Sequence, residues 1–180
     1  MKKIILKKKN YNSLSIYWDT QKKKIFVSGL LGDLEIYNNI FEKFFFILSN
    51  KQKHMFVFWI DNYNYHLILK QIMNLCKGVC FGWFVTMEIT GRNYNVYSGN
   101  KNEIVFDLGF SHGFKLNLPL GIKFFFKKRI IYLYGINLIL LKDISMIICK
   151  LRRFDSYKGK GIKFLGQKVI LKLGKQSQYK

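Results

Sequence analysis

Apolar and polar positions along the chain follow two different periods, and the switches between them divide it into two halves of similar plan. In the first half, Ile25, Phe26 and Val27 precede a turn signal over Gly29–Asp33 and the run Leu34–Tyr37 follows it, which predicts a hairpin over residues 25–36. The β-rich run Met55–Ile60 predicts a further strand. Asp61 and Asn62 can then cap a helix that carries Leu67, Ile68, Ile72 and Leu75 at three- and four-residue spacings and ends near Gly78. Between these elements, Phe41–Lys53 has no clean period and yields no prediction.

The second half repeats the scheme. Phe84–Thr90 and Ile104–Leu108 read as strands flanking a turn-rich stretch, Asn93–Lys101, and further strands are predicted at Lys115–Leu118, Ile122–Phe126 and Ile130–Tyr134. After Gly135 and the potential cap Asn137, the segment Leu138–Leu151 places Leu140, Leu141, Ile144, Ile147 and Ile148 on one side of a helix. Strand followed by helix thus recurs 75 positions apart, at Met55 and Ile130, as a duplicated α+β module would require. The expected fold is α+β, two similar modules, each a small, mostly antiparallel sheet with a helix packed on one face. Residues 1–13 read as a flexible basic arm, 14–81 as the first module, 82–164 as the second, and 165–180 as a basic tail.

Charge decides what such a protein meets. The 180 residues carry 31 Lys and Arg against 10 Asp and Glu, a net charge of +21, so the chain seeks polyanions. With 49% apolar and 17% aromatic residues it can offset its ordering entropy by burial, which excludes a disordered polyelectrolyte. The excess is uneven: residues 1–90 hold a net +7 and residues 91–180 a net +14, and Lys150–Lys180 contains ten basic residues against the single acid Asp155. Lys outnumbers Arg 27 to 4, Ala is absent and Pro occurs once, the imprint of an AT-biased coding genome and a pointer to an organelle gene. Compact lysines therefore replace the forked guanidinium as phosphate partners almost throughout. Three cysteines without CxxC spacing argue for a reducing compartment and against a disulfide framework. The longest apolar candidate, Ile130–Cys149, is interrupted by Lys142 and Asp143, each costing about 3 kcal/mol to insert, so no membrane span is expected.

Candidate chemistry narrows the field further. Gly161–Val169 approximates a phosphate loop, but its lysine is one position late and Val169 stands where a magnesium-binding hydroxyl is needed. His54, His66 and His112 are scattered, and Cys76 with Cys80 brackets Gly78 at a helix end with no nearby His/Cys pair, so neither a metal nor any other cofactor is expected. Ser111 beside His112 reads as turn chemistry rather than a catalytic pair, and Glu103 with Asp107 as counter-charge to the lysines. The aromatic runs Phe44–Phe46, Phe56–Trp59 and Phe124–Phe126 are expected in the cores, with base stacking as the alternative. No catalytic residue emerges and no small-molecule substrate is implied.

From Gly135 to Gly161 and beyond, the chain resembles the universal large-subunit ribosomal protein six family. The residues that carry the resemblance are Gly135-Ile136-Asn137, a helix, Arg152-Arg153, and then Asp155-Ser156-Tyr157-Lys158-Gly159-Lys160-Gly161-Ile162-Lys163-Phe164. Upstream, Leu108-Gly109-Phe110-Ser111-His112, Pro119-Leu120-Gly121-Ile122 and Gly91 with Tyr94 are similar to the family's turns. Coverage is good over residues 82–168, and before them only the hairpin at 24–34 is similar. Gly113, Phe154 and Ser156 stand where the family usually has proline, and Leu138-Ile139 where it has a charged-polar pair.

The resemblance implies a structural constituent of the large ribosomal subunit, binding its rRNA near the sarcin-ricin loop and the translation-factor site, beside neighbouring ribosomal proteins. With the compositional bias, it points to a mitochondrial ribosome, a reduced plastid being the other option. Gly159 and Gly161 are expected to let the backbone approach RNA, Tyr157 to stack or donate a hydrogen bond, and Arg152, Arg153, Lys158, Lys160 and Lys163 to neutralise phosphates. Lys168, Lys172, Arg92, Ser111 and His112 complete the expected RNA-binding set. A free nucleic-acid-binding regulator is the rival reading.

Overall fold

The structure is a computed structural model that describes residues 2–7, 14–19, 24–37, 44–49, 54–59, 65–100 and 102–174. The chain divides into two compact units, Met1–Gly82 with Ile136–Leu138, and Trp83–Gly135 with Ile139–Lys180. The architecture is α+β, with small antiparallel sheets and two helices.

In the first unit, β2 (Ser15–Asp19), β3 (Lys24–Gly29) and β4 (Gly32–Tyr37) form an antiparallel sheet in that order. The β3–β4 hairpin turns at Leu30-Leu31, where the glycine-rich signal placed it. Alternation along β3 buries Ile25 and Val27, and these meet the helix α1 (Tyr65–Phe81), whose Ile72, Leu75, Cys76 and Val79 are buried at three- and four-residue intervals. The Leu31 N–H donates to the Val79 carbonyl at 3.1 Å, tying the hairpin to the helix. The helix runs past Gly78 and stops at Gly82, whose φ of +76° and N–H bond to the Gly78 carbonyl form the cap. A second sheet orders β1 (Lys2–Lys7), β5 (Phe44–Ser49) and β6 (His54–Trp59) as β1-β6-β5.

Two expectations change here. Lys2–Lys7, read as part of a flexible arm, is a strand paired antiparallel with β6, the β-prone run Ile4-Ile5-Leu6 outweighing the flanking lysines in the sequence. Phe44–Ser49 is a strand within the stretch that has no clean period, since the five successive apolar residues Phe44–Leu48 show no alternation to detect. The proposed caps Asp61 and Asn62 lie outside the described residues.

The second unit contains two sheets and a helix around one core. The larger sheet orders β11 (Ile122–Lys127), β12 (Ile130–Gly135), β7 (Trp83–Thr90) and β13 (Gly161–Phe164), all antiparallel. The smaller orders β10 (Phe114–Asn117), β9 (Glu103–Asp107) and β8 (Asn95–Ser98). The helix α2 (Leu138–Leu151) has the bounds that periodicity predicts and buries Leu141, Ile144 and Ile148. These residues join Met87, Ile89, Ile104, Phe106, Ile131, Leu133 and Ile162 in a single cluster. Burying a side chain of this size contributes roughly 1.5–3 kcal/mol, so the ten apolar residues named hold the unit together more firmly than any of its polar contacts. Strands β8 and β13 were not anticipated. The first is short and polar at its ends, and in the second Gly161 and Lys163 mask the strand pattern.

Candidate nucleic-acid interface

Most of the residues expected to touch RNA follow α2, and four of them, Tyr157, Lys158, Gly159 and Lys160, lie in a loop that closes on itself. The Asp155 N–H donates to the Lys160 carbonyl and the Gly159 N–H to the Asp155 carbonyl, both at 2.8 Å. The Asp155 carboxylate accepts from the Tyr157 N–H, also at 2.8 Å. The single acid in the basic C-terminal stretch is thus the organiser of its loop, a role not anticipated from sequence although an Asx turn is its known local habit. Tyr157, Lys158 and Lys160 are left exposed. Gly159 has φ +66°, and a Cβ there would meet only Leu171 at an ordinary 3.6 Å, so conformation rather than space calls for glycine.

Gly161 differs. It is buried at φ +138°, and a Cβ would lie 2.5 Å from Phe154 Cα and 2.6 Å from the Arg153 carbonyl oxygen. Around it, the Ile162 N–H donates to the Arg152 carbonyl at 3.0 Å, Arg153 bridges Ile162 in parallel, and the Thr90 hydroxyl donates to the Gly161 carbonyl at 3.0 Å. The expectation that Gly161 admits an RNA backbone is therefore corrected: the backbone that comes close to it is the chain's own.

Arg152 and Lys163 are also engaged within the fold. Arg152 Nε donates to the Tyr94 hydroxyl at 3.2 Å, and its guanidinium lies 4.6 Å from the centre of the Phe110 ring. Gly91 makes room for this arrangement, since a Cβ there would strike the Tyr94 ring at 2.5 Å. The Gly91–Tyr94 turn, the Leu108–His112 turn and the segment after α2 therefore converge on one guanidinium. Arg92 is exposed in the first of these turns, and Ser111 and His112 are exposed in the second, with Ser111 Oγ 3.1 Å from His112 Nδ1. Lys163 Nζ lies 3.4 Å from the Glu88 carboxylate and 5.4 Å from the Phe154 ring centre. Arg153, Lys158, Lys160, Lys168 and Lys172 are exposed.

The segment expected as a basic tail is not detached where it is described. The Lys172 N–H donates to the Ser156 carbonyl at 3.0 Å, and Lys172 Nζ sits 6.0 Å from the centre of the Tyr157 ring. Residues 165–174 thereby return across the Asp155–Lys160 loop, while 175–180 lie outside the described residues. The result is a hydrogen-bonded platform with cations on its outer side, a geometry suited to holding phosphates at set spacings.

Burial pushes the Cys76 thiol up to about 11, with Cys80 nearby adding to the shift, and burial also raises Cys149. Both therefore stay protonated and poorly nucleophilic at neutral pH. Among the described residues, no group of three or more His, Cys, Asp or Glu could hold a metal, and no helix is long and apolar enough to cross a membrane.

Over 167 residues, the chain is 34% identical to the large ribosomal subunit protein uL6 of Phytoplasma mali (strain AT), spanning 87% of this chain and 88% of that protein. It is 38% identical over 106 residues to uL6 of Hydrogenobaculum sp. (strain Y04AAS1), covering 59% of this chain and 58% of the relative. With uL6 of Syntrophobacter fumaroxidans (strain DSM 10017 / MPOB) the identity is 35% over 114 residues, 63% of each chain. No protein-family model matches the chain.

Proposed function

Because the chain belongs to the uL6 family of large ribosomal subunit proteins, we propose that it is a structural constituent of that subunit and holds rRNA through its second unit. The observation that carries the RNA contact is the Asp155–Lys160 loop, closed by its own hydrogen bonds and crossed by residues 165–174, with Lys158, Lys160, Lys168 and Lys172 exposed. Exposed amines on a fixed backbone release counterions from phosphate without first having to be ordered, and each adds to the salt dependence of binding. Arg152 ties the segment after α2 to the turns that carry Tyr94 and Phe110. Within the subunit, we place the contact near the sarcin-ricin loop and the translation-factor site, with ribosomal proteins as neighbours, following the resemblance in the basic segment.

The mitochondrial ribosome is proposed on composition alone, since the relatives compared are bacterial. Mapping the gene tests it: an organelle chromosome is expected, and a bacterial one would overturn the placement. The functional reading is tested by sedimenting ribosomes from the source cells at moderate magnesium and probing each fraction for the chain. It is expected with the large subunit. Recovery only in light fractions would replace this reading with that of a free nucleic-acid-binding regulator.

A further inference from the structure

The four-stranded sheet of the second unit has a second face. Alternation sends Val85, Met87 and Ile89 of β7 and Ile131 and Leu133 of β12 into the core, and their neighbours Phe84, Thr86, Glu88, Ile130, Tyr132 and Tyr134 to the opposite side. Register aligns Lys123, Tyr134 and Phe84 in one row across the strands, Phe125, Tyr132 and Thr86 in the next, and Lys127, Ile130, Glu88 and Lys163 in a third. The rings are paired: Phe84 and Tyr134 have centroids 4.8 Å apart, and Phe125 lies on Tyr132 at 4.6 Å with 7° between the planes. Phe84 is nonetheless 61% exposed and Phe125 51% exposed. Cations flank them on the β11 edge, where Lys123, Lys127, Lys128 and Arg129 are exposed along β11 and its turn into β12. In these rows, the acid Glu88 is paired with Lys163 at 3.4 Å.

We propose that this face binds an unpaired, single-stranded segment of RNA. Bases stack on the Phe84–Tyr134 and Phe125–Tyr132 pairs, and Lys123 and Lys127 hold the flanking phosphates. Every base has a π-face, so such a platform tolerates sequence, whereas a duplex keeps its bases stacked on one another and offers the rings nothing. The flanking cations favour RNA over an apolar protein partner, whose docking would desolvate them without supplying counter-charge. This contact adds to the proposed role of the Asp155–Lys160 loop and is made by different chemistry.

The test compares the full-length chain with F84L/F125L and K123Q/K127Q, using fluorescence anisotropy with a labelled oligouridylate of about twelve nucleotides and a duplex RNA of the same length. Leucine keeps the positions apolar and removes the rings, and thermal unfolding of each variant checks the fold. F84L/F125L is expected to lose about tenfold in affinity for the single strand and less than about twofold for the duplex, while K123Q/K127Q weakens both. Unchanged single-strand affinity in F84L/F125L, or equal losses on both RNAs, overturns the proposal. So does a ring variant that binds the oligomer normally but no longer retains a neighbouring ribosomal protein in the subunit. K158Q/K160Q should leave the ratio of single-strand to duplex affinity unaltered, so failure here and failure of the loop's proposed role are told apart.

Discussion

The seam formed by Arg152, Gly161 and Lys163 and the loop formed by Asp155–Lys160 belong to one basic motif, yet they do opposite things. In the seam, each residue is turned on the protein itself: Arg152 on Tyr94 and Phe110, Gly161 on Phe154 and Arg153, Lys163 on Glu88. In the loop, Lys158 and Lys160 are exposed, and shape is supplied by Asp155 and the backbone. A cation therefore holds the fold where an aromatic or an acid from a distant part of the chain reaches it, and is exposed where the backbone and Asp155 alone shape the loop.

The sharpest way to test this division is Gly161→Val against Gly159→Ala. At Gly161 a side chain must displace backbone and adopt a positive φ, for a cost of about 3 kcal/mol or more. The chain is expected to fail in solubility and in subunit incorporation, and a G161V protein that melts like the parent would dissolve the distinction between seam and loop. Next in size, Arg152→Met keeps the packing stem and removes the hydrogen bond and the ring contact, with a loss of about 1–2 kcal/mol read by thermal unfolding. Gly159→Ala pays only for a left-handed backbone, about 1 kcal/mol, and should still be incorporated.

The smallest effect on stability is expected for Lys158→Gln with Lys160→Gln, which should leave the melting midpoint in place. The slope of log affinity for RNA against log salt should fall by about one to two units. An unchanged slope would mean that these lysines do not meet phosphate, and a lowered melting midpoint would move them to the seam's side of the comparison.

Much of the fold was legible because it rests on periodic burial. Helix α2 and strands β3, β7, β9 and β12 were predicted close to their observed bounds, each having alternating or three-to-four spacing of residues that are buried in the structure. Strand β8 was not, because Asn95 and Ser98 look like turn residues and only pairing with β9 makes them a strand. For the candidate interface, the motif marked the segment that the structure folds into a closed loop but could not sort its cations. Whether Arg152 meets Tyr94 or solvent depends on a residue 58 positions away, and no local pattern encodes that. The paired rings on the open sheet face were hidden for the same reason, since Phe84 and Tyr134 become neighbours only through strand register.

The position of β13 also sets an order of events. Strands β11 and β12 are joined by a two-residue turn, but Gly161 reaches Thr90 across 71 positions of chain. Closing so long a span costs more entropy than closing a hairpin, and the topology predicts that β13 docks after the sheet it completes. Until it does, the Ile162–Arg152 bond is unmade, and the Asp155–Lys160 loop, closed by its own hydrogen bonds, is held to the fold only through α2. Only the finished sheet anchors the Asp155–Lys160 loop on both sides, to α2 before it and to β7 after it, so on the proposed function any discrimination among RNA sites would come with the last strand.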